Sequence, residues 1–292
     1  MNFVRERLEL ADGDFLDLDW LRGGNLRLAI LCHGLEASSH APYIKAMAAA
    51  LNRRGWDVLA WNCRGCSGEP NRLLRFYHSG SSDDLGAVVD HALATHSAAQ
   101  VDLIGFSLGG NMTLKYLGER AGNMVPRLHR AVAFSAPCDL ASSSVKLASV
   151  DNWIYMERFM RDLRRKIREK APRFPGQFDL QGLGKIRSFQ QFDDRFTAPL
   201  HGFADAADYW AQASSKPLLE QIEIPTLLVN AVNDPFLGLG CYPYAEAHRS
   251  LTFFLEAPSQ GGHVGFPGCD SAGENWSERR AVEFLSADLP MN

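Results

Sequence analysis

The segment Val101-Asp102-Leu103-Ile104-Gly105-Phe106-Ser107-Leu108-Gly109-Gly110 constrains this chain more than any other. A short, mostly apolar run with the pattern of a buried strand meets a Gly-x-Ser-x-Gly turn, and residues 108–117 then read as a helix. The small residues let strand and helix approach closely, and they leave the serine hydroxyl exposed at the C-terminal edge of a sheet. The helix that follows aims its first backbone N–H groups at negative charge developing beside that hydroxyl. Elsewhere, too, short apolar runs alternate with helical patterns. That is the signature of an α/β fold with a mostly parallel central sheet and helices on both faces.

The alternation predicts a strand over 15–20 paired with 7–10, and further strands over 28–32, 58–61, 101–105, 131–134, 225–232 and 251–255. Helices are expected over 42–54, stopped by Gly55, from Asp83-Asp84 onward, over 108–117 and over 276–285. Between 138 and 216 the alternation fails. Helical patches occur there without a central strand, over a length that no structureless loop should have. We expect a helical cap insertion at 138–216, with the α/β core formed by 1–137 and 217–292. Within it Met156, Phe159, Met160, Leu163 and Ile167 recur at helical spacing, and Phe159 and Met160 are expected to bind substrate. Arg158, Arg161, Arg164, Arg165, Lys166, Arg168 and Lys170 crowd the same stretch. They read either as a solvated basic face or as a surface that meets an anionic membrane.

A serine hydroxyl is a poor nucleophile without a base. Where a Gly-x-Ser-x-Gly elbow carries acyl-transfer chemistry, an acid and then a histidine follow in the chain. Asp234 sits at the mouth of the strand 225–232, before Pro235, and His263 follows the strand 251–255 in a Gly-Gly-His turn. His263 would take the Ser107 proton and Asp234 would orient the imidazole. Asp193, Asp194, Asp205 and Asp208 are weaker candidates because they fall inside the expected cap. The backbone N–H groups of Leu35 and Leu108 are expected to form the oxyanion site. His33 reads as a structural residue that hydrogen-bonds its loop.

Composition excludes some classes. With 292 residues, 46% of them hydrophobic, the chain can bury one large core, and a net charge of −4 does not suit a nucleic-acid binder. The six cysteines read as free thiols, and Cys63-x-x-Cys66 lacks the second pair that structural zinc requires. No metal site is therefore expected on these cysteines. The first residues lack the apolar core of a signal peptide, and no apolar run is long enough for a spanning helix, so the expected location is cytoplasmic.

His33-Gly34-Leu35-Glu36-Ala37-Ser38-Ser39-His40 and Trp61-Asn62-Cys63-Arg64-Gly65-Cys66-Ser67-Gly68-Glu69-Pro70-Asn71 resemble the YheT-like branch of the α/β-hydrolases. This branch is related to the mammalian abhydrolase-domain proteins 1 and 3 and the yeast medium-chain ester synthase/esterases. Tyr77-His78-Ser79-Gly80, Ser82-Asp83-Asp84-Leu85 and Gly261-Gly262-His263 extend the likeness over nearly the whole chain. One departure is Ala37, where the family pattern has Gly. The resemblance implies cofactor-free hydrolysis of carboxylic esters, or acyl transfer to an alcohol, with Ser107, Asp234 and His263 as the triad. Arg64 and Glu69 would stabilise the loop between strand and cap. A hydrolase-like protein that only binds its ligand is the non-enzymatic alternative.

Overall fold

The chain begins with a hairpin whose two strands lie at one edge of a single eight-stranded sheet. This is seen in a computed structural model that describes residues 2–271 and 273–287. The strands are β1 (Val4–Glu9), β2 (Phe15–Leu21), β3 (Arg27–Cys32), β4 (Trp56–Asn62), β5 (Gln100–Phe106), β6 (Leu128–Phe134), β7 (Thr226–Val229) and β8 (Phe253–Glu256). Their order across the sheet is β1-β2-β4-β3-β5-β6-β7-β8. β1, β2 and β4 pair antiparallel, and every pair from β4 to β8 is parallel. Each strand expected from the sequence is present. The last two are shorter than their apolar runs, because Leu251 is exposed and the chain beyond Val229 turns out of the ladder.

Parallel strands require crossovers, and helices supply them on both faces. α1 (Pro42–Asn52) has Pro42 at its first turn and ends before Gly55, whose φ of +85° reverses the chain. α2 (Ser82–Thr95) carries Asp83 and Asp84 in its first turn, and α3 (Leu108–Glu119) starts at the elbow. The central strands are buried on both faces, so they read as near-continuous apolar runs.

Between β6 and β7 the described residues form helices and no strand: α4 (Leu140–Leu147), α5 (Trp153–Lys170), α6 (Phe189–Phe192), α7 (Ala198–His201) and α8 (Ala206–Ala213). A single π-turn, Asp193–Thr197, joins α6 to α7. This segment has an apolar cluster of its own in which Met156, Met160, Leu163 and Ile167 of α5 meet Phe192 and Phe196. Phe76 and Phe236 from the loops beside the sheet close it. The chain finishes with α9 (Tyr244–Arg249), β8 and α10 (Trp276–Ser286).

Candidate active site

At the end of β5 the backbone of Ser107 is forced to φ +53° and ψ −121°. A side chain at Gly105 would collide with the Gly109 oxygen, and one at Gly109 with the Cys32 oxygen. Only glycine at both positions lets the helix start this close to β5 and β3. The result is a hydroxyl raised above the C-terminal edge of the sheet on a strained turn.

Two further strand ends supply its neighbours. After β7, Asp234 is held by its own loop, where the Phe236 N–H donates to Oδ1 at 2.9 Å. After β8, the loop carrying His263 folds back so that Gly261 packs on Ala231; a Cβ there would lie 2.6 Å from the alanine methyl. His263 Nε2 lies 2.9 Å from Ser107 Oγ, and Nδ1 lies 2.9 Å from Asp234 Oδ2 and 3.1 Å from Oδ1. A carboxylate only accepts, so Nδ1 carries the proton and Nε2 is free to accept the serine's. Phe236 covers the imidazole, with ring centroids 4.2 Å apart. Asp234 is buried and His263 half-buried.

The loop after β3 brings Leu35 beside them. Its neighbours are engaged: the Gly34 N–H donates to Tyr43 Oη, the Glu36 N–H to Tyr77 Oη, and the Ala37 N–H to the Gly34 oxygen. Neither the Leu35 N–H nor the Leu108 N–H has a hydrogen-bond partner among the described residues. Leu108 begins α3, where first-turn donors have no intrahelical acceptor. Both leucines line the same cavity as Ser107 and His263. The left-handed residue of the loop is Glu36 (φ +51°), so the position occupied by Ala37 has no need of a glycine.

That cavity is walled mainly by apolar side chains, among them Leu147, Phe159, Leu163, Phe189 and Phe192. Phe159 stands where the sequence suggested. Met160 does not: its side chain is fully buried in the helical cluster and lines no part of the cavity, because it stands about 100° further round α5 than Phe159. Asp193 also reaches the wall, where it accepts from Thr197 Oγ1 (2.6 Å) and Trp210 Nε1 (2.9 Å). Burial pushes its carboxyl up to about 6, against the opposing pull of those two donors.

Sequence reasoning missed the anchors of this arrangement. Lys166 belongs by sequence to the basic stretch expected to face solvent or an anionic membrane, yet it turns inward: Nζ lies 2.6 Å from Glu36 Oε1, 3.4 Å from Cys66 Sγ and 4.5 Å from the Tyr77 ring centre. Tyr77 Oη also donates to Glu36 Oε1 at 2.7 Å. Arg164 and Lys170 are buried as well, on Glu157 and the Ile186 oxygen and on Asn71 respectively. A signal existed for Lys166, since Phe159, Leu163 and Lys166 share one face at i, i+4, i+7. Asn111, one turn into α3, donates to the Ser79 and Ala213 oxygens and accepts from the Ser215 N–H. Arg64 anchors the loop in which it stands, on the side of the hairpin and α2. It is buried against Asp12, Asp14 and Asp84, tying the N-terminal hairpin to α2, while Glu69 pairs with Arg7.

Comparison with known proteins agrees with this architecture. The profile of the alpha/beta hydrolase fold matches residues 29–267. The chain is 35% identical over 291 residues to YheT of Escherichia coli (strain K12), to which an esterase activity is ascribed, covering 97% of this chain and 85% of that one. It is 29% identical over 276 residues to the human phospholipase ABHD3, covering 91% of this chain and 67% of that longer one. Among solved structures, the esterase Pf2001 of Pyrococcus furiosus shares the fold, with a TM-score of 0.67 at 17% identity over 97% of this chain and 90% of that one. The fold and the strand-end site define an α/β-hydrolase. The chain belongs to that family and, within it, to the YheT-like branch.

Proposed function

We propose that this ester hydrolase cleaves carboxylic esters through an acyl-Ser107 intermediate, with Asp234 and His263 completing its triad. The observation that carries the reading is the continuous hydrogen-bonded relay from Ser107 Oγ through His263 to Asp234, opening onto an apolar cavity. As Oγ attacks the ester carbonyl carbon, His263 Nε2 takes its proton. The carbonyl oxygen becomes an oxyanion received by the Leu35 and Leu108 N–H groups. Collapse breaks the bond to the alcohol oxygen, and His263 returns the proton to the departing alcohol. Water then repeats the sequence on the acyl-serine, releasing the acid and restoring the hydroxyl. Asp234 stays ionised throughout, orienting the ring and stabilising its cationic form.

In this reading the helical segment 138–216 serves as a cap over the site, and the acyl chain lies along Phe159, Leu163 and Phe189. Each methylene buried there contributes about 0.8 kcal/mol, which favours medium-length acyl groups over acetyl. No residue of this mechanism requires a metal ion or an organic cofactor. A fluorophosphonate probe tests the reading. Intact-mass analysis should place one adduct on Ser107, absent from Ser107→Ala, whose ester turnover falls by roughly 10³-fold or more. An adduct on Ser135, or a native protein that binds esters without turning them over, would sink it.

A further inference from the structure

We propose that the exposed side of α5, with the turn that leads into it, docks this protein on an anionic lipid surface. Val145, Val150, Trp153, Ile154 and Tyr155 are 74%, 84%, 65%, 62% and 44% exposed. Thirteen large hydrophobic residues are exposed among the described residues, and these five fall between positions 145 and 155. Scattered exposed apolar residues need no explanation; a cluster of this kind marks a contact surface.

A cationic stripe continues from that cluster. Ile154, Arg158, Arg161, Arg165 and Arg168 follow one another at steps of four and three, so they share one face of the helix. Met156, Met160, Leu163 and Ile167 run at the same spacing on the buried side. The four arginines are exposed. Asp162 pairs with Arg161 and Arg165, and Glu169 approaches Arg165 at 3.9 Å, whereas Arg158 and Arg168 have no ion-pair partner among the described residues. Lys146 and Asp151, also exposed, offset one another beside the apolar cluster. This stripe runs against the net charge of −4 carried by the whole chain.

The partner that fits has anionic groups over an apolar interior. Guanidinium groups take phosphate oxygens bidentately, and tryptophan, tyrosine and aliphatic side chains seat at the headgroup boundary. A helix lying in the membrane plane would meet both demands at once. Tyr155, Arg158 and Phe159 also line the open cleft that leads to Ser107 and His263, so docking sets the mouth of the cavity against the lipid. The docking stands independently of the esterase reading; only its use, the uptake of an ester from the membrane, rests on that reading.

Vesicle flotation of Ser107→Ala protein, which leaves the lipid intact, tests the surface. Vesicles of phosphatidylcholine with phosphatidylglycerol should retain about tenfold more protein than phosphatidylcholine alone, and that retention should fall several-fold in high salt. Trp153→Ser with Ile154→Ser, and separately Arg161→Gln with Arg165→Gln and Arg168→Gln, should each abolish most of the retention. In the otherwise native protein both sets should leave turnover of a soluble short-chain ester unchanged. No retention on anionic vesicles, equal retention without phosphatidylglycerol, or retention indifferent to both sets would overturn the proposal. So would a dimer in light scattering that Trp153→Ser with Ile154→Ser dissociates, since the patch would then bind a second copy. If the native protein turned over no soluble ester, the hydrolase reading would fall while the flotation result still judged the docking.

Discussion

At His33, two hydrogen bonds fix one protonation state. Nδ1 lies 2.7 Å from the Gly34 oxygen, which only accepts, and Nε2 accepts from the Cys63 N–H at 3.0 Å. The imidazole is therefore neutral, with both nitrogens occupied, and it clamps the proposed oxyanion loop to the end of β4. Burial lowers its pKa to about 4. The unfolded chain takes up this proton near pH 6.5, so the stability it reflects is full above that pH and is lost as pH falls toward 4. His33→Asn should cost about 1–3 kcal/mol at pH 7.5 by urea denaturation. The gap to native protein should narrow by about 2 kcal/mol at pH 5, and a gap that does not change with pH would contradict the assignment. Asp234 makes a second test at this scale. Asp234→Asn should keep its thermal midpoint within a few degrees yet lose roughly 10³–10⁴-fold in kcat, because the imidazole loses the acceptor that fixes its tautomer. Asp193→Asn should remain active. A dead Asp193→Asn beside an active Asp234→Asn would show that the wrong acid had been chosen.

Among the elements, α5 joins the helical segment to the chemistry. One face packs Met156, Met160, Leu163 and Ile167 into the apolar cluster, and its flank delivers Lys166 to Glu36, the left-handed residue next to Leu35. Asn152, at its start, donates to the Pro235 oxygen beside Asp234 at 2.7 Å. The same helix thus touches both the oxyanion loop and the acid loop. Lys166→Met leaves Glu36 with Tyr77 alone and an unbalanced buried charge. On a soluble ester it should lower kcat about tenfold with little change in KM, as loss of oxyanion alignment requires. Lys166→Arg should recover part of the loss. A raised KM with unchanged kcat would instead mean that Lys166 only shapes the pocket.

For the whole molecule, a sheet that places Ser107, Asp234 and His263 beyond the ends of β5, β7 and β8 meets a helical segment that supplies much of the apolar wall. On the proposed mechanism, specificity belongs to the joint between the two. With p-nitrophenyl esters, kcat/KM should rise from acetyl to octanoyl, and Phe159→Asp should flatten that rise by placing a charge on the acyl path. A steady fall from acetyl to octanoyl would remove the acyl chain from this cavity. Added ethanol measures how far an alcohol competes with water for the acyl-serine: ethyl ester formed at the expense of free acid would identify an acyltransferase on the same triad.

The sheet was legible because central parallel strands are buried on both faces and must be apolar throughout, which leaves runs such as Leu28-Ala29-Ile30-Leu31-Cys32 plain in the chain. The proposed triad was legible for a related reason. Each member follows a strand, and the elbow needs glycines where Gly105 and Gly109 stand. The helix α5 was legible as a period, but periodicity places a residue on a side of a helix and says nothing of what that side meets. Met160 and Phe159 are neighbours in one apolar stripe, yet only packing sets Phe159 on the cavity and Met160 behind it. Seven cations in a row look alike as charges. Tertiary structure alone decided that Lys166 would be buried on Glu36 and Arg164 on the Ile186 oxygen, while Arg158 and Arg168 remained facing outward. The difference is physical: local sequence fixes backbone pattern, whereas a buried charge survives only where a partner from a distant segment arrives to meet it.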